Sequence, residues 1–240
     1  MSGDTGLSSE DATRITAHAL AVERTARYFT LGPTHGFPRE LWIVCHGYAQ
    51  LGERFLHQFV SLDDGARLVV APEALSRFYL DPIAVRRHQA TPRVGATWMT
   101  REARETEIAD YVGYLERLVD QLRHRLAGAA PRLVVLGFSQ GTATVCRWLD
   151  RSRHRPDHLI LWSGTIPPEI SLAAWSARLE GASLTLVAGD EDALVSPAAM
   201  TADAERLAAA GVPHELVRHP GGHGIADSAL QALAARIATI

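Results

Sequence analysis

Lysine and asparagine are missing altogether from this chain of 240 residues, so arginine carries all the positive charge outside histidine. That bias points to a GC-rich coding sequence and says nothing about activity. Cysteine is nearly absent: Cys45 and Cys146 are the only two. Two buried thiols in a reducing, cytoplasmic setting are expected rather than a disulfide framework. Charge of one sign is also lacking, because 24 basic residues against 27 acids leave a net charge of −3, which gives no reason to expect a nucleic-acid partner. No segment approaches the roughly 18 uninterrupted apolar residues that cross a bilayer, so no stable membrane insertion is expected. Residues 1–12 lack the charged-then-apolar order of a signal peptide and read as a disordered tail. The histidines are not spaced as metal ligands and no G-x-x-x-x-G-K-[ST] loop occurs, so the sequence asks for no metal and no other cofactor.

What is present is an ordinary globular composition, 47% hydrophobic and 21% charged, with short apolar runs at regular spacing. Residues 13–240 therefore read as one domain. Residues 17–22 and 26–31 are two strand-like runs, predicted to pair antiparallel at one edge of a sheet. Buried strands are predicted at residues 40–45, 66–70, 133–136, 157–162, 182–188 and 214–218. Helical spacing falls between them at 51–62, 103–127, 142–149, 172–179 and 197–210, and a last helix ends near 237. Strands alternating with helices imply an α/β fold, a mainly parallel central sheet covered on both faces, with ligands beyond the carboxyl ends of its strands. Residues 73–102 show no clear periodicity. Within them Phe78, Tyr79, Trp98 and Met99 are candidates to line an apolar substrate pocket, with core packing under a long loop as the alternative. Arg86, Arg87, His88, Arg93 and Arg101 are candidates for an anionic part of a substrate, although a solvated face is the better reading for most of them.

The chemistry centres on Gly137-Phe138-Ser139-Gln140-Gly141, a G-x-S-x-G pattern between a β-branched strand run and a small-residue helix start. Strand, tight turn and helix make a nucleophile elbow, in which the serine occupies a strained backbone position above the sheet. A serine hydroxyl needs a base, and the base needs an orienting acid. Three acids follow a later strand, and Asp192 is favoured over Asp190 and Glu191 because it lies further along the loop and precedes Ala193-Leu194-Val195. Two histidines compete for the base. His223, on the turn Gly221-Gly222-His223-Gly224, is favoured over His219, which sits at the strand terminus. The backbone N–H groups of Gln140 and Tyr48 are the expected oxyanion donors, and His46 is expected to be a structural hydrogen-bonding residue.

Val44-Cys45-His46-Gly47-Tyr48, the elbow, Leu161-Trp162-Ser163-Gly164, the Asp192 loop and Gly221-Gly222-His223 together resemble the phospholipase/carboxylesterase branch of the α/β-hydrolases, which includes acyl-protein thioesterases. The resemblance spans roughly residues 40–225. It implies an α/β-hydrolase fold with Ser139 as nucleophile, Asp192 as acid, His223 as base, and Tyr48 and Gln140 forming the oxyanion hole. Ala188 and Ser196 stand where the family usually has histidine and proline, and the segment 72–101 departs from the region that shapes the family's acyl site. The resulting expectation is a serine carboxylesterase acting on small or medium acyl esters through an acyl-enzyme. A thioesterase or lysophospholipase using the same site is the alternative, and a non-catalytic binding protein is a weaker one. The expected partner is a small-molecule ester, and a homodimer is left open.

Overall fold

A computed structural model describes residues 16–34, 36–126, 128 and 130–239; the tail expected at residues 1–12 lies outside them. Nine strands are present among the described residues: β1 (Tyr28–Leu31), β2 (Glu40–Cys45), β3 (Arg67–Pro72), β4 (Ser76–Tyr79), β5 (Val94–Thr97), β6 (Arg132–Phe138), β7 (His158–Trp162), β8 (Ser183–Gly189) and β9 (Glu215–His219). The helices are α1 (Gly52–Leu56), which tightens into a 3-10 turn at His57–Leu62, then α2 (Ile83–Arg86), α3 (Arg104–Arg125), α4 (Gln140–Arg151), α5 (Leu172–Arg178), α6 (Pro197–Ala209) and α7 (Asp227–Thr239). The main sheet has the order β1-β3-β2-β6-β7-β8-β9. All its neighbours run parallel except β1, which is antiparallel to β3.

The inner strands are apolar throughout because both faces of the sheet are covered. Alternation of side chains along each strand divides the core into two layers. Leu41, Ile43, Leu133, Val135, Leu159 and Leu161 face one side, with Leu115 and Val119 of α3 and Trp148 of α4 packed in the same layer. Trp42, Val44, Val134, Leu136, Ile160 and Trp162 face the other, with Phe55, Phe59 and the α7 residues Leu230, Leu233 and Ile237. A one-residue slip of any inner strand would exchange these two sets, so the register is fixed by packing as well as by hydrogen bonds.

Two expectations are corrected. The N-terminal edge is antiparallel, but the partner of Tyr28–Leu31 is β3, with Tyr28 opposite Pro72 and Leu31 opposite Val69. Residues 17–22 form no strand, and Leu20 and Val22 are exposed, with no layer facing them to reward pairing. The stretch 73–102 is not structureless either. It holds β4 and β5, paired antiparallel from Ser76 opposite Thr97 to Tyr79 opposite Val94, with α2 between them. Asp81 closes this small sheet by accepting from the Arg93 N–H at 2.9 Å and from its guanidinium at 3.0 and 2.7 Å.

Candidate active site

Ser139 sits where β6 turns into α4, at φ 53° and ψ −118°, left-handed backbone that a non-glycine residue adopts at a cost of about 1–3 kcal/mol. The Ser139 N–H donates to the carbonyl of Trp162 at 2.9 Å, which holds the turn against the end of β7. Close packing requires the flanking glycines. A Cβ at Gly141 would lie 2.1 Å from the Cys45 carbonyl oxygen, and one at Gly137 would lie 2.5 Å from that of Gly141. The strain therefore belongs to a helix start pressed against the end of β2, the arrangement that lifts a side chain above the sheet.

The loops after β8 and β9 bring Asp192 and His223 to that side chain. His223 Nε2 lies 2.9 Å from Ser139 Oγ, and His223 Nδ1 lies 2.8 and 3.1 Å from the two carboxylate oxygens of Asp192. Asp192 is 5% exposed. Its Oδ1 also accepts from the N–H groups of Leu194 (2.9 Å) and Val195 (2.8 Å). Burial opposes the charged form, but the donors Val195 N–H, His223 and Leu194 N–H, with the Ser163 hydroxyl nearby, outweigh it and hold the carboxyl below its ordinary pKa. The competing residues stand elsewhere. Asp190 is exposed and pairs with Arg218 at 2.7 Å, Glu191 is exposed, and His219 is buried at the end of β9 against the Trp162 ring.

His46 does not face this line. With Nδ1 donating to the Gly47 carbonyl at 2.7 Å and Nε2 accepting from the Ala74 N–H at 3.1 Å, its neutral ring uses both nitrogens. Burial pushes its pKa down to about 4. The unfolded chain takes up this proton near pH 6.5 and the folded chain does not until about pH 4, so the unfolded state binds more protons in that window. Stability is therefore expected to fall as pH drops from 6.5 towards 4, by about 3 kcal/mol from this group alone. A His46→Gln variant should melt lower than wild type at pH 7 yet lose less on acidification, which thermal melts at several pH values would read.

Of the expected oxyanion residues, Gln140 follows Ser139 at the first position of α4, and Tyr48 lies on the loop after β2, next to Gly47, where a Cβ would stand 3.2 Å from the Cβ of Ser139. Among the described residues neither backbone N–H donates to a protein acceptor. The four pocket candidates separate. Phe78 stacks on Tyr48 with ring centroids 5.4 Å apart, and Tyr79 is 55% exposed with Arg86 4.3 Å above its ring. Trp98 is 2% exposed and packs on His46 and Tyr111, which is the core-packing alternative, and Met99 is partly buried beside Arg147. None of the four lines the cleft of about 310 Å³ that opens beside His223 between His219 and Ala226.

Sequence reasoning missed three contributors. Phe138 packs its ring 5.0 Å from His223, Glu73 ties Arg27 and the Gly52 N–H to the end of β3, and the Gln140 side chain reaches the end of β5. The x positions of the elbow were the only signal for the first and third. Nothing in the sequence marks Glu73 beyond its place after a buried strand. Among the described residues no group of three or more His, Cys, Asp or Glu side chains is placed to hold a metal ion, and no helix is long and apolar enough to cross a membrane. Both thiols are free and buried.

A parallel sheet with one antiparallel edge, a serine at a strained strand-to-helix turn, and an acid and a histidine on later strand ends define an α/β-hydrolase. The phospholipase/carboxylesterase family model matches residues 38–240, and the chain belongs to that family. Esterase PE8 superposes with a TM-score of 0.64 at 19% identity, covering 90% of this chain and 100% of that one. Acyl-protein thioesterase 2 of Zea mays gives 0.63 at 14% identity, covering 90% and 99%, and TT1662 of Thermus thermophilus gives 0.63 at 17%, covering 90% and 98%. At these identities the likeness carries the fold alone. No curated protein matches the sequence.

Proposed function

We propose that this chain is a serine carboxylesterase that hydrolyses small or medium acyl esters through an acyl-enzyme. The observation that carries the reading is the continuous hydrogen-bonded run from Asp192 through His223 to Ser139, on three strand ends of one sheet. His223 Nε2 takes the proton as Ser139 Oγ attacks the ester carbonyl, and the ionised Asp192 holds the ring by its Nδ1–H and stabilises the imidazolium. The oxyanion that forms is met by the N–H groups of Tyr48 and Gln140. His223 then returns the proton to the departing alkoxide, and the acyl group stays on Ser139. Water, deprotonated by the same nitrogen, attacks the acyl-enzyme and releases the carboxylic acid and the serine. No step needs a metal or a cofactor. The two buried thiols fit a cytoplasmic setting.

Stopped-flow hydrolysis of p-nitrophenyl esters from acetate to octanoate tests this. A burst of nitrophenolate stoichiometric with enzyme, followed by slower turnover, is the expected result. Faster turnover of a matched thioester would move the substrate class to thioesters at the same site. Absence of both burst and turnover across the series would overturn the reading.

A further inference from the structure

The two proposed oxyanion donors lie far apart in sequence, yet one short piece of chain holds the residues on either side of Tyr48 and the side chain of Gln140. The carbonyl of Ala96 accepts from the Ala49 N–H at 2.9 Å, and the Ala96 N–H donates to the Gln50 carbonyl at 3.1 Å, so β5 pairs with the residues just after Tyr48. The indole N–H of Trp98 donates to the His46 carbonyl at 2.8 Å on the other side of Tyr48. The elbow is gripped by the same strand end. Gln140 Nε2 donates to Thr97 Oγ1 at 2.9 Å and to the Met99 carbonyl at 3.0 Å, while its Oε1 accepts from the Trp98 N–H at 3.2 Å. Thr97 in turn donates its hydroxyl proton to the Met99 carbonyl at 2.9 Å and is 4% exposed.

Two further features indicate that this contact sets the loop's shape. Ala49 stands at φ 64°, left-handed backbone for a residue with a Cβ, and such strain persists only where the surroundings impose it. Gly95 makes room for that bend. A Cβ there would lie 2.4 Å from the Ala49 carbonyl oxygen and 2.8 Å from its Cα, both backbone atoms with no freedom to rotate away.

We propose that residues 95–99 brace the oxyanion hole, with the Gln140 side-chain amide, the Thr97 hydroxyl and the bare Cα of Gly95 positioning the Tyr48 and Gln140 N–H groups. The inference rests on the serine hydrolase reading. Donors of this kind accelerate a reaction because they are already aimed at the developing charge and need no reorganisation. Loosening either side of the brace misplaces a donor without touching the nucleophile or the base, and small displacements at such sites are costly.

The test compares Gln140→Met, Thr97→Val and Gly95→Ala with wild type on p-nitrophenyl butyrate, alongside the affinity for an alkyl trifluoromethyl ketone. Ser139 adds reversibly to that ketone, and the hemiketal oxygen occupies the hole. Expected is a fall in kcat of roughly tenfold to a hundredfold with KM within about twofold, and a parallel loss of ketone affinity. A merely structural role would lower the melting temperature while leaving kcat per folded enzyme and ketone affinity unchanged, and that result would overturn the proposal with the hydrolase reading intact. Should Gly95→Ala fail to fold, Thr97→Val, which keeps the side-chain shape, gives the same readouts. A wild-type protein that neither turns over ester nor binds the ketone would remove both the hydrolase reading and this inference.

Discussion

Ser139→Ala is expected to lower ester turnover by about 10⁴- to 10⁶-fold while the fold and melting temperature stay close to wild type. The size of the effect follows from what is removed. Among the described residues the hydroxyl is the one hydrogen-bond partner of His223 Nε2, at 2.9 Å, and on the proposed mechanism no acyl-enzyme forms without it. The fold is spared because the change deletes one oxygen from a partly exposed side chain and leaves the backbone strain at φ 53° as it was. Residual hydrolysis would come from the oxyanion donors acting on water. Steady-state rates, with circular dichroism as the check on folding, measure it. A variant retaining more than about a tenth of wild-type kcat would be incompatible with Ser139 as the nucleophile.

Asp192→Asn should cost about 10⁴-fold in kcat, for a reason that the hydrogen bonds make explicit. Oδ1 accepts from the Leu194 and Val195 N–H groups, so the amide oxygen of an asparagine must stay there. Its NH₂ then occupies the place of Oδ2, 2.8 Å from His223 Nδ1, where a donor is required to meet an acceptor. The ring is driven to the tautomer with its proton on Nε2, facing Ser139, and cannot take the serine's proton. Asp190→Asn removes only an exposed pair with Arg218 and is expected to leave the rate within about twofold. Parallel kcat measurements on the two variants decide between the acids; a large loss in Asp190→Asn with a small one in Asp192→Asn would reverse the assignment.

The parts of the molecule that could be read from sequence are those whose physics is local. The β6 run is apolar because both faces are covered, and the glycine at 137 is demanded by contacts within the turn itself, whereas the one at 141 makes room for the end of β2. Asp192 and His223 were narrowed from five candidates by distance along a loop and by flanking glycines, and they are the pair brought to Ser139. What was illegible depends on partners far away. Four-residue strands such as β4 and β5 show no periodicity, and they exist because they pair with each other and because β5 also pairs with the loop after β2. For Trp98 the sequence leaves pocket wall and core packing both open, because its burial comes from His46 and Tyr111, neither of which is near it in sequence. The elbow motif marks the position of Gln140 but not what its side chain holds, since its partners lie 41 to 43 positions upstream. Residues 17–22 failed in the opposite way. Their local pattern suits a strand, but β3 already pairs with β1.

Activation of the serine at residue 139 is measured most directly by reaction of the purified protein with a fluorophosphonate, followed by peptide mass spectrometry. One phosphonyl adduct per chain, on Ser139 and lost in Ser139→Ala, is expected. Folded protein that takes up no label, or carries it on another residue, would contradict it.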